Sequence, residues 1–445
     1  DELPYSRNQR AMVYQRAKSI LATRPFGSDQ DMYEENFNWL NHSLLPSHIE
    51  SKDFRIRVGE GEKAYDASVL NISGTSFGAL SPPAIQSLSA GAKLGGFAHN
   101  TGEGSLSKYH EAGGGDTIWQ ISTGYFGCRT SEGRLDRELF SEKARLEQVK
   151  MIEIKLSQGA KPGHGGILPA AKLTAEISKI RDVPMGHDVD SPPAHTAFNN
   201  PIELIDFISN LRELSGGKPI GFKLCVGKRR EFISICKAMH EKGITPDFVT
   251  VDGGEGGTGA APMEFSNHIG TPLVEGLIFV HNILVGFDLR KNIKIISSGM
   301  MTSGFGLVKR LALGADLCNS ARGMMMALGC IQARKCNSNV CPVGVTTQDT
   351  NLMKGLVPED KNKRVNNYHR NTVDSACQIM GAMGLEKPEE LKPWHLMRRI
   401  EAYEIRNFSE IYEYIETGSL LGKSKPKSYA RACEAARSDS FIAKN

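Results

Sequence analysis

Cys330, Cys336 and Cys341 stand in the run Gly329-Cys330-Ile331-Gln332-Ala333-Arg334-Lys335-Cys336-Asn337-Ser338-Asn339-Val340-Cys341-Pro342, a Cys-x5-Cys-x4-Cys pattern closed by proline. Thiolates are soft ligands, suited to zinc and to iron–sulfur clusters. Structural zinc takes four ligands, usually from closely spaced cysteine pairs, and no fourth cysteine or histidine stands at ligand spacing here. A three-iron cluster missing one corner needs only three thiolates, and one bacterial cluster run ends in the same Cys-Pro. Three ordinary buried thiols would leave the same pattern, because free cysteine packs as a small hydrophobe. Spacing alone leaves these readings open, with zinc requiring a remote fourth ligand.

Other candidates lie in glycine-rich segments that each follow a short apolar run. They are Ser76-Phe77-Gly78-Ala79-Leu80-Ser81, Asn100-Thr101-Gly102-Glu103-Gly104, Gln158 to Gly166, and Asp252-Gly253-Gly254-Glu255-Gly256-Gly257-Thr258-Gly259. Glycine lets backbone N–H groups approach a ligand closely, and so many such loops favour a cradle over plain turns. Two further runs, Ser298-Gly299 leading to Gly304 and Ser320-Ala321-Arg322-Gly323, read as strands opening onto helices. Helix N-termini bind phosphate, so a phosphate-bearing cofactor is favoured there. Lys155 and Lys223 stand inside apolar runs, and buried lysine is rare unless paired. Each is either half of an internal ion pair or a cation beside a flavin, where it would stabilise negative charge on the reduced ring. Of His99, His164, His187, His195 and His268, His164 is the strongest catalytic candidate, because its glycine-rich loop should face the cavity.

Something must hold these loops on one face. Eight short apolar runs recur: Val69–Ile72, Gly96–Asn100, Thr117–Ser122, Met151–Leu156, Pro219–Val226, Phe248–Asp252, Ile293–Ser298 and Ala315–Asn319. Runs apolar throughout suit parallel strands buried on both faces, and the helical stretches between them suit crossovers. The pattern predicts an α/β fold, a (β/α)8 barrel whose strand-end loops form the active face; a doubly wound open sheet is the competing architecture. The barrel is expected over 68–344, with an N-terminal helical and strand extension over 1–67 and a C-terminal helical appendix over 345–445. Within these, Ala11–Leu21 and Tyr33–Leu45 read as helices, 54–58 and 64–72 as strands, Ile400–Ile415 as helical, and 422–445 as a solvated, partly flexible basic tail.

The 445 residues are 40% hydrophobic and 23% charged, with a net charge of +4. That composition fits a globular enzyme, and the lack of a long basic run speaks against nucleic acid as a partner. Nine cysteines without a dense disulfide framework suggest a reducing, cytoplasmic compartment. No run approaches the length of a membrane span; the first residue is Asp1, which is compatible with an anchor or targeting segment upstream.

Taken together, these motifs resemble the synthase domain of the glutamate synthase family. The likeness rests on 329–348, Ser157–Gly166, Ser191-Pro192-Pro193, Gly256-Gly257-Thr258-Gly259-Ala260 and Asn100–Gly104, in the family's order, and spans roughly 68–390. It implies FMN, held by Ser76, Asn100, Thr101, Lys155, Lys223, Gly254, Ser298, Gly299, Gly304, Arg322 and Gly323. It implies a 3Fe-4S cluster on Cys330, Cys336 and Cys341. The implied activity is that of an oxidoreductase acting on CH-NH2 donors, which converts 2-oxoglutarate and ammonia to glutamate with hydride from reduced FMN. Lys161 matches the family's substrate lysine and Arg181 its substrate arginine. No glutaminase domain, β-helix domain or pyridine-nucleotide motif is recognisable, so the resemblance implies a stand-alone protein. Electrons would come from an external donor, a ferredoxin or a reductase, and ammonia free or from a partner; an oligomer is compatible.

Two departures fall in the substrate loop. Where the family reads Gly-Ala-Lys-Pro-Gly-Glu-Gly-Gly-Gln, this chain has His164 for the glutamate and Ile167 for the glutamine. Isoleucine cannot hydrogen-bond a carboxylate. The alternatives are therefore a related flavoenzyme acting on another amino or N-methylamino acid, and an electron-transfer or scaffold subunit without turnover of its own.

Overall fold

The computed structural model describes residues 3–20, 23, 26–51 and 54–443. Eight parallel strands close into a barrel: β1 (Leu70–Ile72), β2 (Ala98–Asn100), β3 (Asp116–Ile121), β4 (Val149–Lys155), β5 (Ile220–Leu224), β6 (Phe248–Asp252), β7 (Lys294–Ser298) and β8 (Leu317–Ser320). These are the eight runs expected from the sequence, and closure excludes the open sheet. β5 and β6 are buried along their whole length, as strands covered by helices outside and by packed side chains inside must be.

One end of the barrel is plugged. The hairpin Arg55–Val58 and Tyr65–Ser68 pairs antiparallel and sends Ile56, Val58, Tyr65 and Ala67 into an apolar cluster with Ala98, Ile118, Met151, Phe248, Ile296 and Leu317. These barrel residues lie at or toward the starts of their strands, so the opposite end, where the strands finish, is left for chemistry. A 25-residue helix, Pro358–Ala382, packs against helices Pro82–Gly95, Gly304–Ala312 and Arg322–Leu328. Its His369 is bonded at 2.9 Å to both Ser68 Oγ and the Leu70 carbonyl and stacks on Phe97. The chain beyond 344 thus completes the helical ring beside β1.

Three expectations are corrected. Tyr33–Leu45 is not a helix: Asn38–Leu40 is a strand, and its partner is Leu396–Glu401. Ile400–Ile415 is not one helix either, because Leu396–Glu401 and Glu404–Asn407 form a hairpin followed by the short helix Phe408–Ile411. In the first segment the backbone pairs with a strand more than three hundred residues away, which local periodicity cannot register; in the second the pairing is local, between the two strands of the hairpin. Within the basic tail, Lys427–Ala435 is a helix packed on the barrel, whose Tyr429 and Cys433 are buried rather than solvated. Lys237 ties that helix down by donating to the carbonyls of Cys433 and Ala436 at 2.6 and 2.8 Å.

The first helix occupies Arg7–Ala17, earlier than expected, because Ser6 and Gln9 form a capping box; Leu21 lies outside the described residues. Among the described residues no helix is long and apolar enough to cross a membrane.

Candidate active site

A cavity of about 810 Å³ opens at the strand ends, and residues at or just after the end of every barrel strand contribute to it. Its floor is built around Glu153, which is 1% exposed. Asn100 Nδ2 and Gln120 Nε2 donate to Glu153 Oε1 at 2.8 and 2.7 Å, and Thr250 Oγ1 donates to Oε2 at 2.6 Å. A carboxylate buried this deeply needs every such donor.

Residues two apart on a strand share a face, so Glu153 and Lys155 both point inward from β4. Lys155 Nζ lies 3.1 Å from Glu103 Oε2, which also accepts from Ser122 Oγ at 3.1 Å. Burial opposes ionisation of Glu103, but Lys155 and Arg181 outweigh it and pull its carboxyl down to about 2. On β5, Lys223 Nζ lies 3.6 Å from Asp252 Oδ2, whose carboxylate also receives the Gly159 N–H at 2.9 Å. Both strand lysines are therefore ion-paired and line the cavity as well. His195 donates from Nε2 to the Lys155 carbonyl at 2.8 Å, and burial pushes its imidazole down to about 4.

A recess of about 50 Å³ adjoins the cavity, lined by Ser76, Ala79, Glu103, Lys161, Ile167, Leu168 and Arg181 among others. Lys161 is 2% exposed and its Nζ has no hydrogen-bond partner. Burial lowers its pKa, with Glu103 opposing. Arg181 is equally buried; it donates to the Phe77 carbonyl at 3.0 Å while its Nε is unpartnered. Burial brings its guanidinium down to about 10, again against Glu103. The recess thus holds two desolvated cations beside an apolar wall of Ala79, Ile167 and Leu168, which is what a small carboxylate with a partly apolar body would need.

Across the cavity, Ser298 Oγ lies 3.2 Å from Ser73 Oγ, and Gly299 has φ +148°, accessible to glycine. Arg322 donates to the Glu255 carbonyl at 2.7 Å and stacks over the Tyr5 ring at 4.9 Å. The buried Asn319 Oδ1 nearby has no partner. Ser76, Lys155, Lys223, Ser298, Gly299 and Arg322 are therefore brought together around one cavity. Asn100 and Thr101 lie behind its wall, where they hold Glu153 and the Gln120 N–H. Gly254 is bonded to the Thr271 carbonyl, and Gly304 and Gly323 pack against Ser375 and Tyr368 of the long helix. His164 is bonded to the Gly165 carbonyl and packs edge-on against Phe265 at 5.5 Å, outside the lining of both cavities.

Among the described residues no group of three or more histidine, cysteine, aspartate or glutamate side chains is drawn together as a metal site. Cys336 reaches the cavity, Cys330 is half-buried and Cys341 is buried. Cys330 and Cys341 differ as donors for a soft metal. Burial opposes ionisation of Cys341, yet hydrogen bonds from Thr346 and from the backbone at Val343 and Val345 bring its thiol below its ordinary range. Cys330 lies within electrostatic reach of both other thiols, which raise its pKa further after burial.

Glu103, Gln120, Glu153, Asp252 and Tyr5 were not singled out in the sequence. The signal available for Glu153 was its place two residues before Lys155 in an apolar strand. Nothing local pointed to Tyr5, which reaches Gln332 from the far end of the chain.

Residues 28–386 match the model of the conserved region in glutamate synthase. The chain belongs to the glutamate synthase family. It is 40% identical over 348 residues to the glutamate synthase large subunit-like protein YerD of Bacillus subtilis, across 78% of this chain and 66% of that protein. It is 34% identical to an archaeal glutamate synthase [NADPH] of Methanocaldococcus jannaschii, across 80% of this chain and 66% of the relative. The chain therefore spans just under two thirds of the length of these relatives. A solved flavocytochrome b2 variant with pyruvate bound is 15% identical, covering 87% of this chain and 82% of that one at a TM-score of 0.48; at that distance it bears on neither fold nor chemistry. The family's motif segments at 100–104, 157–166 and 256–260 all border the strand-end cavity or its recess.

Proposed function

We propose that the chain is a flavin-dependent oxidoreductase that converts a 2-oxo acid and ammonia to the amino acid, with FMN in the large cavity and a 3Fe-4S cluster on Cys330, Cys336 and Cys341. The observation that carries the reading is the recess with its two buried cations, Lys161 and Arg181, opening beside a cavity that all eight strands help to line. FMN would be held in this cavity by the paired ammonium groups of Lys155 and Lys223, the unpartnered Asn319 oxygen, and Ser298, Gly299 and Arg322. When bound, the flavin supplies hydride chemistry and the cluster single-electron relay from an external donor. The archaeal relative's printed name supports a reduced pyridine nucleotide as the source of those electrons.

Lys161 and Arg181 hold the substrate carboxylate through charge-assisted bonds, which are the strong ones in a water-poor recess. Glu103 stays ionised across the physiological range and so attracts ammonium to the same place rather than donating a proton. The Lys155–Glu103 pair keeps the lysine aimed into the cavity. Condensation of ammonia with the oxo group releases water, and two electrons and two protons complete the amino acid.

2-Oxoglutarate is the leading substrate by family membership. Ile167 favours a second reading, in which the same machinery acts on another amino or N-methylamino acid, because it places an apolar wall in the recess. The deciding experiment is anaerobic preparation, with flavin and iron content measured first. A panel of 2-oxo acids is then assayed with ammonium and a chemically reduced electron carrier. Turnover with 2-oxoglutarate supports the first reading and turnover with another oxo acid the second; flavin-loaded protein inert with every oxo acid refutes reductive amination.

A further inference from the structure

Leu3, Pro4 and Tyr5 stand in the wall of the large cavity, together with Arg322 and Arg334. They lie outside the stretch shared with the family. Tyr5 is 1% exposed, and its ring centroid is 4.9 Å from the guanidinium carbon of Arg322. The same guanidinium donates to the Glu255 carbonyl at 2.7 Å, and a Cβ at Gly257 would stand only 2.9 Å from its Nη1. Aromatic ring and glycine-rich loop together fix this side chain.

The segment that brings Tyr5 is fastened at several points. Tyr5 and Gln332 exchange bonds: the Tyr5 N–H donates to Oε1 at 3.1 Å, and Nε2 donates to the Tyr5 carbonyl at 3.2 Å. Arg334 donates to the Leu3 carbonyl. The helix that follows, Arg7–Ala17, buries Val13 and Ala17. Its Tyr14 Oη donates to the Cys330 carbonyl at 2.7 Å, and Arg16 donates to Ser375 Oγ at 3.0 Å.

Charge differs between the two parts of the cavity. Lys155 and Lys223 each face a carboxylate, whereas Arg322 donates to a neutral carbonyl. Arg310 also donates to carbonyls, that of the cavity-lining Gly299 at 2.6 Å and that of Gly306 at 2.8 Å. Two guanidinium groups bonded to neutral partners leave this end attractive to an anion, and the planar fork of arginine matches phosphate oxygens two at a time.

We propose that Tyr5 is a positioning residue for cofactor binding, whose ring holds the Arg322 guanidinium ready for the phosphate of FMN. The proposal rests on the flavin reading given above. A cation over an aromatic face is attracted by the ring quadrupole, more strongly where water is excluded. A fork already held in place loses less freedom when it takes up its ligand. The effect of Tyr5 therefore follows the phosphate of the flavin and not its ring system.

The test loads the full chain with FMN or with riboflavin, which lacks the phosphate, and follows release on dilution by flavin fluorescence. Tyr5→Leu keeps the apolar bulk without the ring and is expected to release FMN about tenfold faster, while riboflavin release changes by less than about twofold. Tyr5→Phe, which keeps the ring, is expected to retain FMN as wild type does. In an Arg322→Met background, Tyr5→Leu is expected to add little, because the two residues act as one unit. FMN release from Tyr5→Leu at the wild-type rate overturns the proposal. Equal acceleration of FMN and riboflavin overturns it too, since the ring would then be a plain plug. Tyr5→Met stands in if Tyr5→Leu does not fold; failure of both while Tyr5→Phe folds would show a purely structural ring and overturn the proposal as well. Wild type that takes up neither flavin refutes the flavin reading and this proposal with it, a failure distinct from FMN retention that ignores Tyr5.

Discussion

Glu103→Gln is the perturbation whose consequences follow most directly from the geometry. The Glu103 carboxylate sits 3.1 Å from Lys155, is 16% exposed in its side chain, and is held ionised down to about 2 against a reference of 4.5. At about 1.36 kcal/mol per pKa unit, that depression corresponds to roughly 3 kcal/mol favouring the folded protein at neutral pH. The figure agrees with the roughly 3–5 kcal/mol lost when one partner of a buried pair is removed.

The pH dependence follows from the direction of the shift. A carboxyl whose folded pKa is depressed contributes in full above its unfolded pKa and loses that contribution as pH falls toward the folded one. Linkage puts the loss at about 2 kcal/mol by pH 3. Urea midpoints of wild type and Glu103→Gln, taken between pH 7 and pH 3, should therefore converge. Their separation should shrink from roughly 3 to roughly 1 kcal/mol as the unfolded chain protonates at this site while the folded carboxyl stays ionised. Curves that stay parallel over that range would refute the claim that Lys155 and Arg181 hold Glu103 ionised.

Lys161→Met should weaken 2-oxo acid binding roughly ten- to hundredfold, the worth of about 1.5–3 kcal/mol for a hydrogen bond to a charged group. It should not lower stability, because the ammonium has no protein partner to lose; flavin absorbance titration and thermal unfolding check the two halves. Ile167→Gln adds a donor to the apolar wall of the recess, so 2-oxoglutarate should bind about tenfold tighter, the worth of one hydrogen bond, while pyruvate is unchanged in the same titration. Thr250→Val removes the 2.6 Å bond to Glu153 Oε2 and should cost about 1–3 kcal/mol in unfolding free energy by leaving a buried carboxylate oxygen under-satisfied. An unchanged urea midpoint would show that water or Lys223 takes over the bond.

The eight strands were legible because each is a short run buried on both faces, a pattern that survives without knowledge of its neighbours. The glycine-rich loops were legible for the same kind of reason, and the barrel's connectivity then placed them on one face. Lys155 and Lys223 stood out as charges in apolar runs, but their partners Glu103 and Asp252 did not, because those partners lie on other strand ends. Tyr33–Leu45 was misread because its strand pairs with Leu396–Glu401 from the opposite end of the chain, and Ile400–Ile415 because a hairpin strand, Glu404–Asn407, pairs back on Leu396–Glu401 before the short helix begins.

The sequence by itself determined that this is an eight-stranded α/β barrel with polar strand-end loops, two strand lysines and three clustered cysteines, since residue type and local period carry that much. Only the tertiary structure decided that the hairpin at 55–68 plugs the far end, that Lys161 and Arg181 share a recess, that Gly304 and Gly323 serve packing, and that His164 turns toward Phe265. Each of those depends on which loop meets which after closure. Side-chain period encodes the face a residue takes within its own element, while charge pairing and desolvation are fixed only when distant elements meet.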